Sequence, residues 1–155
     1  MANTYTQLYI HLVFAVKGRE SLIPREYKDE LQKYITGIIQ NHKHKLIAIE
    51  NEPDHIHILV GLKPDQSISD LVKHIKTGST IWLNEQTWIT RRFYWQEGFG
   101  AFSYSRSQLD RVIAYIANQE AHHKKQTFRE EYIAMLEAFG IPYDERYLFD
   151  FTALG

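Results

Sequence analysis

The sequence predicts an α+β fold, an antiparallel sheet with helices on one face and further helices at the C-terminal end. Three observations carry that prediction. Runs rich in β-branched and aromatic residues alternate with segments of helical periodicity. Capping-box signatures mark where the later helices begin. A hydrophobic share of 44% is enough to build a packed core around both kinds of element.

The elements follow in order. Residues 5–16 (Tyr-Thr-Gln-Leu-Tyr-Ile-His-Leu-Val-Phe-Ala-Val) read as a strand, broken by Lys17-Gly18-Arg19. Pro24 suits the first turn of a helix, where its missing N–H costs nothing. Leu31, Ile35, Ile38 and Ile39 carry that helix to about Asn41. Residues 45–52 and 55–62 read as two strands around the turn signal Pro53-Asp54. Ser67 and Asp70 open a second helix, continued by Ile68, Leu71, Val72, Ile75 and Leu83. Residues 91–97 and 99–105 look like two strands around Gly98. Ser107 and Asp110 open a helix to about Lys125, and another runs from Thr127 to about Phe139. The order β-α-β-β-α-β-β-α-α begins with the six elements of a ferredoxin-like or RRM-like layout, which leaves the second sheet face or its rim for a site. That layout hosts many functions, so function must come from side chains.

With 155 residues and no internal repeat or Pro/Gly/Ser linker, the chain is expected to be one domain, 1–155. It has no cysteine, which excludes disulfides, thiol nucleophiles and cysteine metal sites. No run approaches the ~18 apolar residues of a membrane span. The start Met-Ala-Asn-Thr-Tyr lacks the pattern of a signal peptide, so a cytoplasmic location is expected. Neither GxxxxGK[ST] nor GxGxxG occurs, so no nucleotide cofactor is expected. The net charge of −1 argues against nucleic acid at first sight. However, the tail from Arg129 onward holds two basic and six acidic residues. Residues 1–128 therefore carry 16 basic and 13 acidic residues, a net of +3.

His55-Ile56-His57 opens the third predicted strand. Strand side chains alternate, so both imidazoles share one face while Ile56, Ile58 and Val60 share the other. Such a pair can chelate one cation or simply line a sheet face, and a third ligand must come from elsewhere. His42, His44, His122 and His123 sit near helix ends, where dipole or capping roles are the simpler reading. His11 reads as structural and His74 as solvated.

In the predicted helix from Ser107, Leu109, Val112, Ile113, Ile116 and Ala117 gather on one stripe at about 100° per residue. Tyr115 lies off that stripe with Gln108, Arg111, Gln119 and His122, displayed rather than buried. Gln119 lies one turn on. A phenol with a pKa of about 10 is a weak nucleophile unless a cation or base assists it. Two histidines, a glutamine carbonyl and a divalent ion would supply that assistance at a phosphodiester.

Taken together, these stretches resemble the single-tyrosine HUH transposases of insertion sequences, the IS200-like TnpA group. The resemblance covers about Tyr9 to Tyr147. It rests on Tyr9-Ile-His-Leu-Val-Phe-Ala, Pro53-Asp-His-Ile-His-Ile-Leu-Val and Ser67-Ile-Ser-Asp-Leu-Val-Lys. It also rests on Trp95-Gln-Glu-Gly-Phe-Gly-Ala-Phe-Ser and on Tyr115-Ile-Ala-Asn-Gln119 followed by His122-His-Lys. The resemblance implies His55, His57 and Gln119 as ligands of Mg²⁺ or Mn²⁺ and Tyr115 as nucleophile. It implies a metal-dependent transposase that cleaves and rejoins single-stranded DNA, bound as hairpins at element ends, through a 5′-phosphotyrosine. It further implies a homodimer whose subunits share the active site. By position, Lys73, Lys76, Arg91, Arg92, Arg106 and Arg111 are the basic residues expected to meet DNA, with Tyr94 and Trp95 as candidate base-stacking rings.

Two other readings remain at this point. A domesticated or palindrome-associated relative would share the HUH site and nick or only bind DNA. A two-histidine phosphoesterase would need paired His-X-Ser/Thr motifs, which the chain lacks.

Overall fold

The computed structural model describes residues 3–148. Strand β1 (Tyr9–Ala15), helix α1 (Lys28–Asn41), strands β2 (Lys45–Glu52) and β3 (His55–Gly61), helix α2 (Ile68–Asn84) and strand β4 (Gly100–Tyr104) come first. Helices α3 (Leu109–Ala117), α4 (Gln119–His123) and α5 (Phe128–Ala138) follow. The strands form one antiparallel sheet in the order β2-β3-β1-β4, the α+β arrangement expected from the ferredoxin-like pattern.

β1 and β3 are central, and almost every residue in them is buried. A strand covered on both faces needs apolar side chains on both, which explains why these two read as near-continuous hydrophobic runs. On one face Leu12, Phe14, Ile56, Ile58 and Val60 pack against Leu31, Ile35 and Ile39 of α1 and Leu71, Val72 and Ile75 of α2. This is the larger core. Ser67 caps α2 by accepting from the Asp70 N–H at 3.0 Å, as its sequence signature predicts.

The second sheet face is not left open. Val112 and Ile116 of α3 pack on Leu59 of β3. Phe128 and Leu136 of α5 pack with Val13, Ala15 and Phe102. Gly100 permits this closeness, since a Cβ there would lie 2.7 Å from the Tyr132 ring.

Two predicted elements differ. Residues 91–97 do not form a strand. Phe93 and Trp95 are buried and Tyr94 is exposed, so the alternation is real. Their only ladder contact among the described residues is a bridge between Trp95 and Val16, just past the end of β1, and Gly98 then turns the chain at φ +83°. The helix expected over 107–125 is divided. It opens at Ser105, whose capping box is with Gln108, rather than at Ser107. It breaks at Asn118, whose N–H is shared between the carbonyls of Ala114 and Tyr115. Asn is a weak helix former and tolerates this non-helical corner. The acidic tail is described to Leu148, and Asp150 lies outside the described residues. No described helix is long and apolar enough to cross a membrane.

Candidate active site

The site lies on the second sheet face, where β3 begins beneath α3, α4 and α5. The register sets Ala15 opposite His55 and Val13 opposite His57. Strand alternation therefore turns both imidazoles away from the larger core and under the C-terminal helices. Both are fully buried.

Each histidine is oriented from behind. His55 Nδ1 lies 2.7 Å from Asp54 Oδ1, and its ring stacks on Phe128 at 4.0 Å between centroids. His57 Nδ1 lies 2.8 Å from His11 Nε2. In both rings Nε2 is thereby turned toward the helices, which is how proteins present a ligating imidazole. Burial, reinforced by the nearby histidines, lowers the pKa of His57 against the opposing pull of Glu131. A neutral ring is the ligating form.

Three side chains from the helices meet those nitrogens. Gln119, at the start of α4, is fully buried, with Oε1 3.4 Å from His55 Nε2. His123 Nε2 lies 3.0 Å from Gln119 Oε1. Glu131, one turn into α5, is 2% exposed and sits at the centre. Its Oε1 is 3.2 Å from His57 Nε2, 3.3 Å from His123 Nε2 and 3.8 Å from His55 Nε2. Its Oε2 accepts from the Gln119 amide at 3.3 Å and from the Tyr115 hydroxyl. Ligating atoms of His55, His57, His123 and Glu131 all lie within 4.8 Å of one another.

Electrostatics follow from that crowding. Burial alone would raise the Glu131 carboxyl, but hydrogen bonds from His123 and His57 outweigh it and hold the carboxyl well below the usual range. Burial and then the Glu131 carboxylate push the Tyr115 phenol well above its ordinary value. Without added positive charge the tyrosine is a poor nucleophile. The residues fit a divalent cation on their chemistry: converging imidazole nitrogens, oxygen donors from Gln119 and Glu131, and hydrogen-bonded partners behind both strand histidines.

A model of the family described as IS200-like transposases matches residues 4–119. The chain belongs to that family. Membership carries DNA strand transfer as the general activity of a transposase. Among relatives, the ISDra2 transposase TnpA of Deinococcus radiodurans is 28% identical over 127 residues, covering 77% of this chain and 87% of that protein. The transposase for IS200 of Salmonella typhimurium is 24% identical over 143 residues, covering 92% and 90%. A solved Deinococcus radiodurans structure described as a transposase aligns with a TM-score of 0.59 at 26% identity, covering 76% of this chain and 94% of that one. The structure of a REP-associated tyrosine transposase bound to a REP hairpin shares the fold, with a TM-score of 0.61 at 17% identity over 78% of this chain and 72% of that one.

Of the residues expected at the transposase centre, His55, His57, Gln119 and Tyr115 come together. Tyr115 is half-buried rather than displayed, because its hydroxyl bonds Glu131 of α5 and its ring lies against His122 of α4, with centroids 4.6 Å apart. It also lies against His57 of its own chain, with ring centroids 6.1 Å apart.

The basic candidates are scattered around this centre. Lys73, Arg106 and Arg111 are exposed. Arg111 lines a groove with Tyr104, Gln108, Val112 and Tyr115. Arg91 is exposed and pairs with Glu20 at 2.9 Å. Arg92 and Lys17 flank the exposed Tyr94 ring. Lys76 is half-buried, donating to the carbonyls of Gln96 and Gly98 at 2.8 and 2.7 Å, which makes it a tie between α2 and the following loop. Trp95 is buried and donates to Ser79 Oγ at 2.9 Å, so it is a core ring.

Glu131, His123 and His11 escape the sequence reading as members of the centre. For Glu131 a signal existed. It shares the inward side of a helix with Phe128 and Leu136, and a carboxylate there needs partners. His44, read as a capping residue, is instead a buried tie. Its Nδ1 accepts from the Lys63 N–H at 3.0 Å, and its Nε2 lies 2.8 Å from Gln66 Oε1. The His42 and His74 rings stack on each other at 4.1 Å.

Proposed function

We propose that this chain is a single-tyrosine HUH transposase that cleaves and rejoins single-stranded DNA at insertion-sequence ends, acting as one domain. The observation that carries the reading is the convergence of His55, His57, Gln119 and Tyr115 at one buried point. His55 and His57 offer Nε2, and Gln119 offers its amide oxygen, to Mg²⁺ or Mn²⁺. The nitrogen-rich donor set suits manganese better. A bound cation would polarise a phosphate oxygen and lower the barrier to attack at phosphorus.

Tyr115 is the nucleophile. Its oxygen bonds to the scissile phosphorus as the bond to the 3′ oxygen breaks, giving a 5′-phosphotyrosine and a free 3′-OH. The phosphotyrosine keeps the free energy of the diester, so a second 3′-OH can attack it and rejoin strands without a nucleotide cofactor. The groove beside Tyr115 and Arg111 offers a path for the strand. Hairpin DNA is the favoured substrate, supported by the hairpin bound to a relative of the same fold. In a homodimer each copy would carry its own tyrosine and histidines, and the pair would hold two element ends.

The test is direct. Full-length protein mixed with hairpin-bearing single-stranded element-end DNA and Mn²⁺ should give a covalent adduct that survives denaturant. Tyr115→Phe should give none, and chelator should abolish the adduct. An adduct of unchanged yield in Tyr115→Phe rules the reading out.

A further inference from the structure

Glu131 is the residue of the centre that the proposed strand-transfer chemistry does not use. A carboxylate at 2% exposure costs several kcal/mol unless it is paired. Among the described residues its ion-pair partners are all histidines, and neither lysine nor arginine reaches it. Its hydrogen bonds divide cleanly. Oε1 faces ring nitrogens of His57 and His123, and Oε2 faces Tyr115 and Gln119.

The spacings on the Oε1 side are informative. Ligands held about 2.1 Å from one ion at 90–109° lie about 3.0–3.4 Å from one another. Oε1 stands 3.2 Å from His57 Nε2 and 3.3 Å from His123 Nε2. Oε1 thus stands at the separation of a neighbouring ligand from two ring nitrogens, and at 3.8 Å from His55 Nε2, with all four groups' ligating atoms within 4.8 Å of one another.

The fold holds Glu131 at that point. The Thr127–Glu130 capping box fixes the start of α5. Phe128 is pinned by its stack on His55, and Glu131 follows three residues later on the same side of the helix. The carboxylate is therefore positioned by the histidine strand itself.

We infer that Glu131 joins the metal to the nucleophile, with Oε1 as a further cation ligand and Oε2 as the acceptor that aims the Tyr115 hydroxyl. This rests on the metal-dependent reading above and adds to it. One carboxylate spanning both means that filling the cation site also sets the nucleophile. With the cation bound, electron density on the carboxylate is drawn toward Oε1, and the grip of Oε2 on the tyrosine proton weakens.

Mn²⁺ binding to the full chain, followed by electron paramagnetic resonance and calorimetry without DNA, separates the two claims. Wild type should bind, and His57→Ala should not. Glu131→Gln, which keeps shape and removes charge, should bind at least tenfold more weakly with an unchanged circular dichroism spectrum. Glu131→Asp, which withdraws the oxygen by one methylene, should also bind more weakly, so the measurement does not depend on one variant folding. Failure of wild type to bind overturns the metal-dependent reading itself. Wild-type binding with an unchanged dissociation constant in either folded Glu131 variant overturns only the role of Glu131. A faster or higher-yield DNA adduct in Glu131→Gln would also overturn it, since the carboxylate would then be a latch holding the tyrosine back.

Discussion

His55 and His57 show how far single residues can be read. Two histidines separated by one apolar residue on a strand must face the same way, so their pairing needs no tertiary information. What stands behind them does. His11 looks like one more strand residue, yet it backs His57 Nδ1 and is almost fully buried. Burial, and then the neighbouring His57, lower its pKa from 6.5 to about 3. The unfolded chain takes up a proton there near pH 6.5, and the folded chain only near 3. The stability involved is complete above 6.5 and is lost as pH falls through that window, with a slope of about 1.4 kcal/mol per pH unit for one proton. Urea midpoints measured between pH 7 and 4 should fall less steeply in His11→Gln than in wild type, by about one proton. Equal slopes would show that His11 is not the titrating group. Glu131 is missed at this scale, because a glutamate in an acidic stretch looks like solvated surface until the whole helix is read and its place beside Phe128 and Leu136 shows.

At the scale of elements, α3 carries the proposed nucleophile and its anchor side by side. Ile116 is 1% exposed and packs on Leu59 of the histidine strand. Tyr115, the residue before it, points toward α5. Replacing Ile116 with Ala should cost about 2–5 kcal/mol by loss of burial and a residual cavity. It should also reduce adduct formation more than global unfolding explains, since Tyr115 loses its platform. Thermal melts compared with adduct yield well below the melting range would check both. The capping residues, apolar stripes and strand alternation made most elements legible. The exceptions have local causes. Residues 91–97 alternate like a strand, but they meet β1 only at its end, through the Trp95–Val16 bridge and the Gln96 N–H to the Ala15 carbonyl. The predicted long helix breaks at Asn118, where a shared N–H ends one segment and starts the next.

For the whole molecule, the described residues of one chain bring His55, His57, Gln119, Glu131 and Tyr115 to one point. The connection from β4 to α3 is a single capped turn over Arg106–Gln108, and Tyr115 already bonds Glu131 of its own chain. Mixing Tyr115→Phe with His57→Ala should therefore restore no adduct, because each copy retains its own defect. Recovery toward about a quarter of wild-type yield, the share of intact sites after random re-pairing, would mean that subunits exchange the tyrosine helix. Charge also makes sense only at this scale. A net charge of −1 averages a mildly basic body and an acidic tail, and the exposed arginine beside the tyrosine groove, Arg111, belongs to the body.

The sequence by itself determined the order of most elements along the chain, the shared face of His55 and His57, the placement of Tyr115 off the apolar stripe, and the family. These are consequences of local periodicity, with periods of two and 3.6 residues, and of short-range spacing, which a linear string preserves. Only the tertiary structure decided that α5 closes over the second sheet face. It brings Glu131 to histidines 74 and 76 residues earlier in the chain and makes the tyrosine a half-buried, hydrogen-bonded group. The physical reason is that long-range packing follows from the summed burial of many side chains. No local pattern records which distant surface a helix will cover.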